Sequence, residues 1–88
     1  MTDQLTKTAI AANAEANALT MIDVLRLTQI AERNEINPVE AIYLPETVKQ
    51  AAAAARMTTR QFIVAMRDCA ELVNFVKETI QKAMKEGE

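Results

Sequence analysis

Apolar residues recur at helical spacing along most of the chain. Between Leu19 and Asn34 they return every three or four positions, which predicts an amphipathic helix with a wide buried face. A second pattern, from Thr59 to about Lys85, repeats apolar residues every seven positions. The spacing therefore predicts a helical protein whose last helix is much the longest.

Between these two apolar patterns, the sequence contains several signals for the start of a helix. The segment Asn37–Glu40 carries a capping asparagine, then proline, then a glutamate three residues after the asparagine. A short helical turn to about Tyr43 follows, and Pro45 begins a further helix with five consecutive alanines. Thr58, with Gln61 three residues on, predicts a capping box at the start of the last helix.

The rest of the composition supports helices. The single glycine stands at Gly87, so no interior turn has a glycine to supply a positive φ, which disfavours tight β-hairpins. We predict an all-α fold: a small bundle of about four helices with a long C-terminal helix, forming one domain over residues 1–88. Only Leu5 and Ile10 are large and apolar within residues 3–18, so residues 1–18 are expected to form a frayed helix or a mobile arm.

The predicted core is thin. Sixteen residues are alanine and only three are aromatic. A chain this short buries only about two-thirds of its unfolded surface, so a second chain is expected to complete the core. We predict a homo-oligomer, with a dimer favoured, that assembles through the apolar seam of the last helix. The seam residues are Phe62, Met66, Cys69, Val73, Val76 and Ile80.

Missing residue types restrict the chemistry. The chain has no histidine and one cysteine, so it cannot form a Ser-His-Asp or Cys-His arrangement, an internal disulfide or a common zinc site. We therefore expect no enzyme activity, no metal and no cofactor. The N-terminal sequence lacks a signal-peptide pattern, and no run of apolar residues has transmembrane length, so a cytoplasmic protein without a membrane segment is expected.

The run Val48–Met66 resembles a helix-turn-helix unit over about 20 residues. The matching positions are the small Ala52, the turn hydrophobe Met57, the cap Thr58 and the anchors Phe62 and Ala65. The resemblance implies DNA contacts from the second helix and the turn before it. The contact residues would be Arg56, Thr59, Arg60, Gln61 and Arg67.

Three features depart from that unit. Arg56 stands where glycine is usual, and the predicted second helix is far longer than a recognition helix. Residues 45–70 hold only four bases against two acids, so each chain offers few phosphate contacts. The run Val48–Met66 also fits an antiparallel helical hairpin whose two helices pack through their alanines. A second resemblance concerns Ile42–Glu46, which is similar to the strand-to-helix junction of ribbon-helix-helix repressors.

Two functional hypotheses follow. The first is a non-enzymatic interaction protein that binds another protein stoichiometrically, as an adaptor, inhibitor or regulatory subunit. Accessory proteins of phages and plasmids are an analogy for this type of protein. The alternative is a dimeric DNA-binding transcriptional regulator that uses the helix starting at Thr59. The arginines and acids expected to contact a partner fall on two sides. They are Arg26, Glu32, Arg33 and Glu35 on one side and Arg56, Arg60 and Arg67 on the other.

Overall fold

A computed structural model describes residues 2–87, with side chains from residue 4 onward, and all its regular structure is helical. In this part of the chain six α-helices alternate with short turns, and one of those turns contains a 3₁₀ helix at Glu15–Asn17. The helices are α1 (Thr2–Ala12), α2 (Met21–Arg33), α3 (Pro38–Ala41), α4 (Leu44–Ala54), α5 (Thr59–Asp68) and α6 (Ala70–Glu86). The all-α prediction is confirmed, but residues 2–87 form six helices where about four were expected.

The predicted helix starts are present. Asn37 Oδ1 accepts from the Glu40 amide at 2.9 Å, and Glu40 Oε1 accepts from the Asn37 amide at 3.2 Å. Thr58 Oγ1 accepts from the Gln61 amide at 3.0 Å, and Gln61 Oε1 accepts from the Thr58 amide at 2.9 Å. Both pairs satisfy amides that the first turn of a helix leaves without partners.

The prediction of one unbroken helix from Thr59 to about Lys85 is wrong, because the chain leaves helical geometry at Cys69. This residue has extended backbone angles, φ −136° and ψ 106°, and separates α5 from α6. The α6 helix then packs against α3, α4 and α5. The ammonium of Lys77 in α6 donates to the Asn34 carbonyl at the end of α2, at 3.1 Å. The seven-residue apolar repeat therefore belongs to two helices, α5 and α6, whose apolar residues pack into one core.

The predicted oligomer seam lies mostly in the core of a single chain. Cys69 is half-buried. The other five seam residues are at most 3% exposed, and they are Phe62, Met66, Val73, Val76 and Ile80. Their burial needs no second chain, and an interface between copies at these positions would require this core to open. Assembly of the protein with itself stays a prediction.

The N-terminal stretch differs from the frayed helix or mobile arm expected over residues 1–18. Met1 lies outside the described residues, as does Glu88 at the other end of the predicted domain. From residue 2 the stretch forms α1, which packs against α2 and α3 and buries Thr6 and Ile10. Ala9 packs against the core beside Ile10, whereas Ala11 and Ala12 are exposed.

Three turns use a left-handed residue that is not glycine. The residues are Ala18 (φ 57°), Glu35 (φ 56°) and Arg56 (φ 59°). Each lies just beyond a helix end and lets the next amide bond back into that helix, as the Ile36 amide does to the Ala31 carbonyl at 2.9 Å. A side chain in this conformation costs about 1 to 2 kcal/mol. The lack of interior glycine thus leaves strain at three turns.

Replacing Glu35 by glycine relieves one of these strained positions. The Glu35 side chain is exposed, so its removal breaks no core packing. We expect Glu35→Gly to raise the free energy of unfolding by about 1 kcal/mol. Urea unfolding followed by circular dichroism measures this, with Glu35→Ala as the matched control because alanine keeps the strained Cβ. An equal gain in both variants would show that strain at Glu35 is not the cause.

Candidate binding face on α2 and α5

The turn between α4 and α5 has the backbone features of the helix-turn-helix unit that the run Val48–Met66 resembles. Arg56 adopts the left-handed conformation usual for glycine, and the Met57 amide donates to the Ala52 carbonyl at 2.9 Å. Ala52 is buried and Met57 half-buried, as the pattern requires. The α5 helix is 10 residues long because it ends before Cys69. The sequence differed from a helix-turn-helix unit in the residue at Arg56 and in the predicted length of the second helix. In the structure, the backbone at Arg56 and the length of α5 both match that unit.

The first turns of α2 and α5 are held together by Arg60. Its Nε donates to Asp23 Oδ1 at 3.3 Å, and its Nη2 donates to Thr20 Oγ1 at 3.2 Å. The Asp23 side chain is 6% exposed and the Arg60 side chain 52% exposed. Arg60, which the sequence suggested as a contact for DNA or a partner, is therefore already engaged within the chain.

Asp23 also caps its own helix. Its Oδ2 accepts from the Thr20 amide at 3.1 Å, while Thr20 Oγ1 accepts from the Asp23 amide at 3.4 Å. Burial raises the pKa of Asp23, but the hydrogen bonds from Thr20 and Arg60 and the charge of Arg60 outweigh burial and lower it below 3.8. The carboxylate is therefore ionised at neutral pH. Sequence reasoning missed Asp23, although Thr20 three residues before it is the pattern of a capping box.

Farther along the same two helices, arginines surround a cleft. It has a volume of about 90 Å³ and opens to solvent between α2 and α5. We call it the arginine cleft, and its lining residues are Arg26, Gln29, Ile30, Arg33, Ile63, Val64 and Arg67. Ile30 and Ile63 belong to the hydrophobic core, so the floor of the cleft is apolar and its rim is cationic.

The cleft unites residues that the sequence placed on separate sides. Arg26 and Arg33 come from α2, and Arg67 comes from α5. Among the described side chains, no carboxylate lies within 4.0 Å of Arg26 or Arg33. Arg67 Nε meets Asp68 Oδ1 at 3.4 Å, but both side chains are at least half exposed, so this pair is weak. The three arginines that line the cleft therefore have little neutralisation from nearby carboxylates.

An apolar patch lies on α2 next to the arginines. Met21 is 65% exposed, Ile22 52% and Leu25 43%. Residues four and seven positions apart share a helix face, so Ile22 lies on the same side as Arg26 and Gln29. The patch and the cleft together form one surface, which we call the binding face. It consists of Met21, Ile22, Leu25, Arg26, Gln29 and Arg33 of α2 with Val64 and Arg67 of α5.

Most of the remaining predicted contacts lie outside this face. Arg56 is exposed at the α4–α5 turn, and Gln61 is exposed with its side chain bonded to the Thr58 amide. Thr59 is half-buried. Glu35 is exposed in the turn after α2, whereas Glu32 is exposed on α2 seven residues after Leu25 and therefore borders the binding face. The structure thus brings together Arg26, Arg33 and Arg67, and the other predicted contact residues are not part of this cluster.

Comparison with known proteins offers no analogue. The chain matches no protein-family model, no curated protein and no solved structure. In the part of the chain that the structure describes, no helix has the length and apolar character needed to cross a membrane. That part also contains no group of three or more histidine, cysteine, aspartate or glutamate side chains placed to share a metal ion.

Removing the Asp23 carboxylate tests whether it joins α2 to α5. Asp23→Ala loses the capping interaction and leaves Arg60 without its partner, so we expect the free energy of unfolding at pH 7 to fall by about 1 to 2 kcal/mol. The folded pKa of Asp23 is lowered, so its stabilisation is present above the unfolded pKa of 3.8 and is lost as pH falls through the folded pKa. The difference between variant and parent should therefore shrink below pH 3.8.

Urea unfolding at a series of pH values measures both effects. Asp68→Ala is the matched control, because Asp68 forms the other ion pair but is exposed, and we expect a change near zero. Equal destabilisation by the two variants, or a difference at Asp23 that does not depend on pH, would contradict the assignment.

Proposed function

We propose that the protein acts without catalysis, by stoichiometric binding to another protein as an adaptor, inhibitor or regulatory subunit, and that the binding face is its contact surface. The observation that carries the proposal is the position of an exposed apolar patch beside three arginines on two packed helices. Rigid helices hold these side chains in place, so little conformational entropy is lost from the backbone on binding.

The residue types of this face favour a protein partner. Arginine and methionine are enriched at protein interfaces, whereas lysine is depleted. The bases of the binding face are all arginines, and the lysines lie on other helices, namely Lys7 on α1, Lys49 on α4 and Lys77, Lys82 and Lys85 on α6. Phosphate-binding surfaces do not require an apolar patch, but a protein interface gains from one.

The apolar patch supplies a realistic amount of binding free energy. Complete burial of one Ile, Leu or Met side chain is worth about 1.5 to 3 kcal/mol. Met21, Ile22 and Leu25 are each near half exposed, so covering them contributes about 1 kcal/mol each. The arginines then select the partner, because they favour an acidic surface and speed its association.

The partner is identified by quantitative co-purification. The bait is the purified protein, and the cell extract comes from the organism that encodes it. We expect one protein to be retained in a fixed molar ratio by the parent and to be lost with the double variant Ile22→Glu/Leu25→Glu. Phe75→Glu is the matched control because Phe75 is 55% exposed on α6, a helix that contributes no residue to the binding face.

Reconstitution with that purified partner then measures the interaction. Calorimetry should give one defined stoichiometry, and Arg26→Glu/Arg33→Glu should weaken binding by at least about tenfold, that is 1.4 kcal/mol. Circular dichroism confirms that each variant is folded. Retention that survives the Ile22→Glu/Leu25→Glu change but fails with Phe75→Glu would place the interface elsewhere and overturn the proposal.

Binding of duplex DNA is the second candidate function, and the α4–α5 turn is the observation that favours it. Arg56 has the left-handed backbone of the turn, and α5 has the length of a recognition helix. DNA takes second place because Arg60, at the start of α5, already donates to Asp23 and Thr20 within the chain. A single chain also offers few phosphate contacts from the binding face, namely Arg26, Arg33 and Arg67.

Fluorescence anisotropy with a labelled random duplex separates the two candidates. If DNA is the target, the protein should bind at about 50 mM salt, and affinity should fall steeply as salt is raised to about 200 mM. Arg67→Ala should then weaken binding, while Lys82→Ala on α6 serves as a matched change of one charge. Our leading proposal predicts no duplex binding at about 50 mM salt.

A further inference from the structure

We propose that the arginine cleft is a binding site for a small phosphate-type oxyanion, such as the terminal phosphate of a phosphorylated metabolite. The cleft is distinct from the apolar half of the binding face, and the proposal does not depend on a protein partner. It rests on the convergence of Arg26, Arg33 and Arg67 around a cleft of about 90 Å³.

The size of the cleft suits a compact anionic group. A cleft of about 90 Å³ is larger than one water molecule needs, so a compact group can enter it. That space accommodates a tetrahedral oxyanion with its oxygens directed at the rim. The cleft is open to solvent, so the rest of a phosphorylated molecule can extend outward from it.

The donors match a phosphate better than a single carboxylate. Each guanidinium presents a rigid fork of N–H groups that pairs with two oxygens at once. One carboxylate is satisfied by one such fork, whereas a phosphate group has three or four oxygens and up to two negative charges. Three arginines line this cleft, so the donors that they carry exceed what one carboxylate can accept.

The surroundings strengthen the electrostatic attraction. Ile30 and Ile63 close the floor with hydrocarbon, which keeps water from one side of a bound anion and lowers the local dielectric constant. Asp68 is the carboxylate that pairs with a cleft arginine, and it is 69% exposed. A bound dianion would offset the mutual repulsion of the three guanidinium groups far better than Asp68 does.

The arginines are held by the fold. Arg26 and Arg33 lie seven residues apart on α2 and therefore on one helix face. Arg67 is in the last turn of α5, and the Asp23–Arg60 ion pair ties the first turn of α5 to α2. The cleft is thus built on two joined helices rather than on a loop, which favours a defined binding geometry.

Titration of the full chain with inorganic phosphate tests the proposal. Nitrogen-15 NMR follows the Nε–Hε signals of the arginines, with potassium chloride at matched ionic strength as the reference. We expect saturable shifts at Arg26, Arg33 and Arg67 but not at Arg56, which lies outside the cleft. Shifts that chloride reproduces, or that increase without saturation, would overturn the proposal.

Variants and a second probe complete the test. Arg33→Gln/Arg67→Gln should weaken phosphate binding by at least about tenfold, as expected for the loss of two charge-assisted contacts. Arg56→Gln is the matched control and should leave it unchanged. A random DNA duplex is the second probe. If the duplex shifts the cleft arginines while inorganic phosphate does not, the cleft contacts a nucleic-acid backbone, and the small-ligand proposal is wrong.

Discussion

The break in the helix at Cys69 is the constraint on which the rest of the structure depends. A chain with three aromatic residues and sixteen alanines has few large side chains to bury. The extended backbone at Cys69 lets α6 change direction, so that Phe62 of α5 and Ile80 of α6 enter one hydrophobic core. Without the break, the apolar residues of the two helices would lie along one rod, and a second chain would have to cover them.

The packing of α5 on α2 determines what α5 can present. Arg67, in the last turn of α5, lines one cleft with Arg26 and Arg33 of α2. The Asp23–Arg60 ion pair joins the first turns of the same two helices. Packing, capping and ion pairing thus converge on the α2–α5 junction, where the chain also exposes its apolar patch. The proposals for a protein partner and for a phosphate-type ligand both start from this junction.

Local signals in the sequence predicted the local structure well. Asn37 and Thr58 mark helix starts because capping depends on residues three positions apart. The break escaped prediction because Cys69 is neither proline nor glycine, and because a seven-residue repeat describes one long helix and two helices around one core equally well. The arginine cleft escaped because Arg26 and Arg67 come together only through tertiary packing.

A distance measurement across the break tests this account most directly. Spin labels at Gln61→Cys and Lys85→Cys, in a chain that also carries Cys69→Ser, report on α5 and α6 by pulsed electron resonance. A continuous helix rises about 1.5 Å per residue and would separate these positions by about 36 Å. We predict a single distance clearly shorter than that. A distribution centred near the length of a continuous helix would contradict the break, the single-chain core and the cleft built on it.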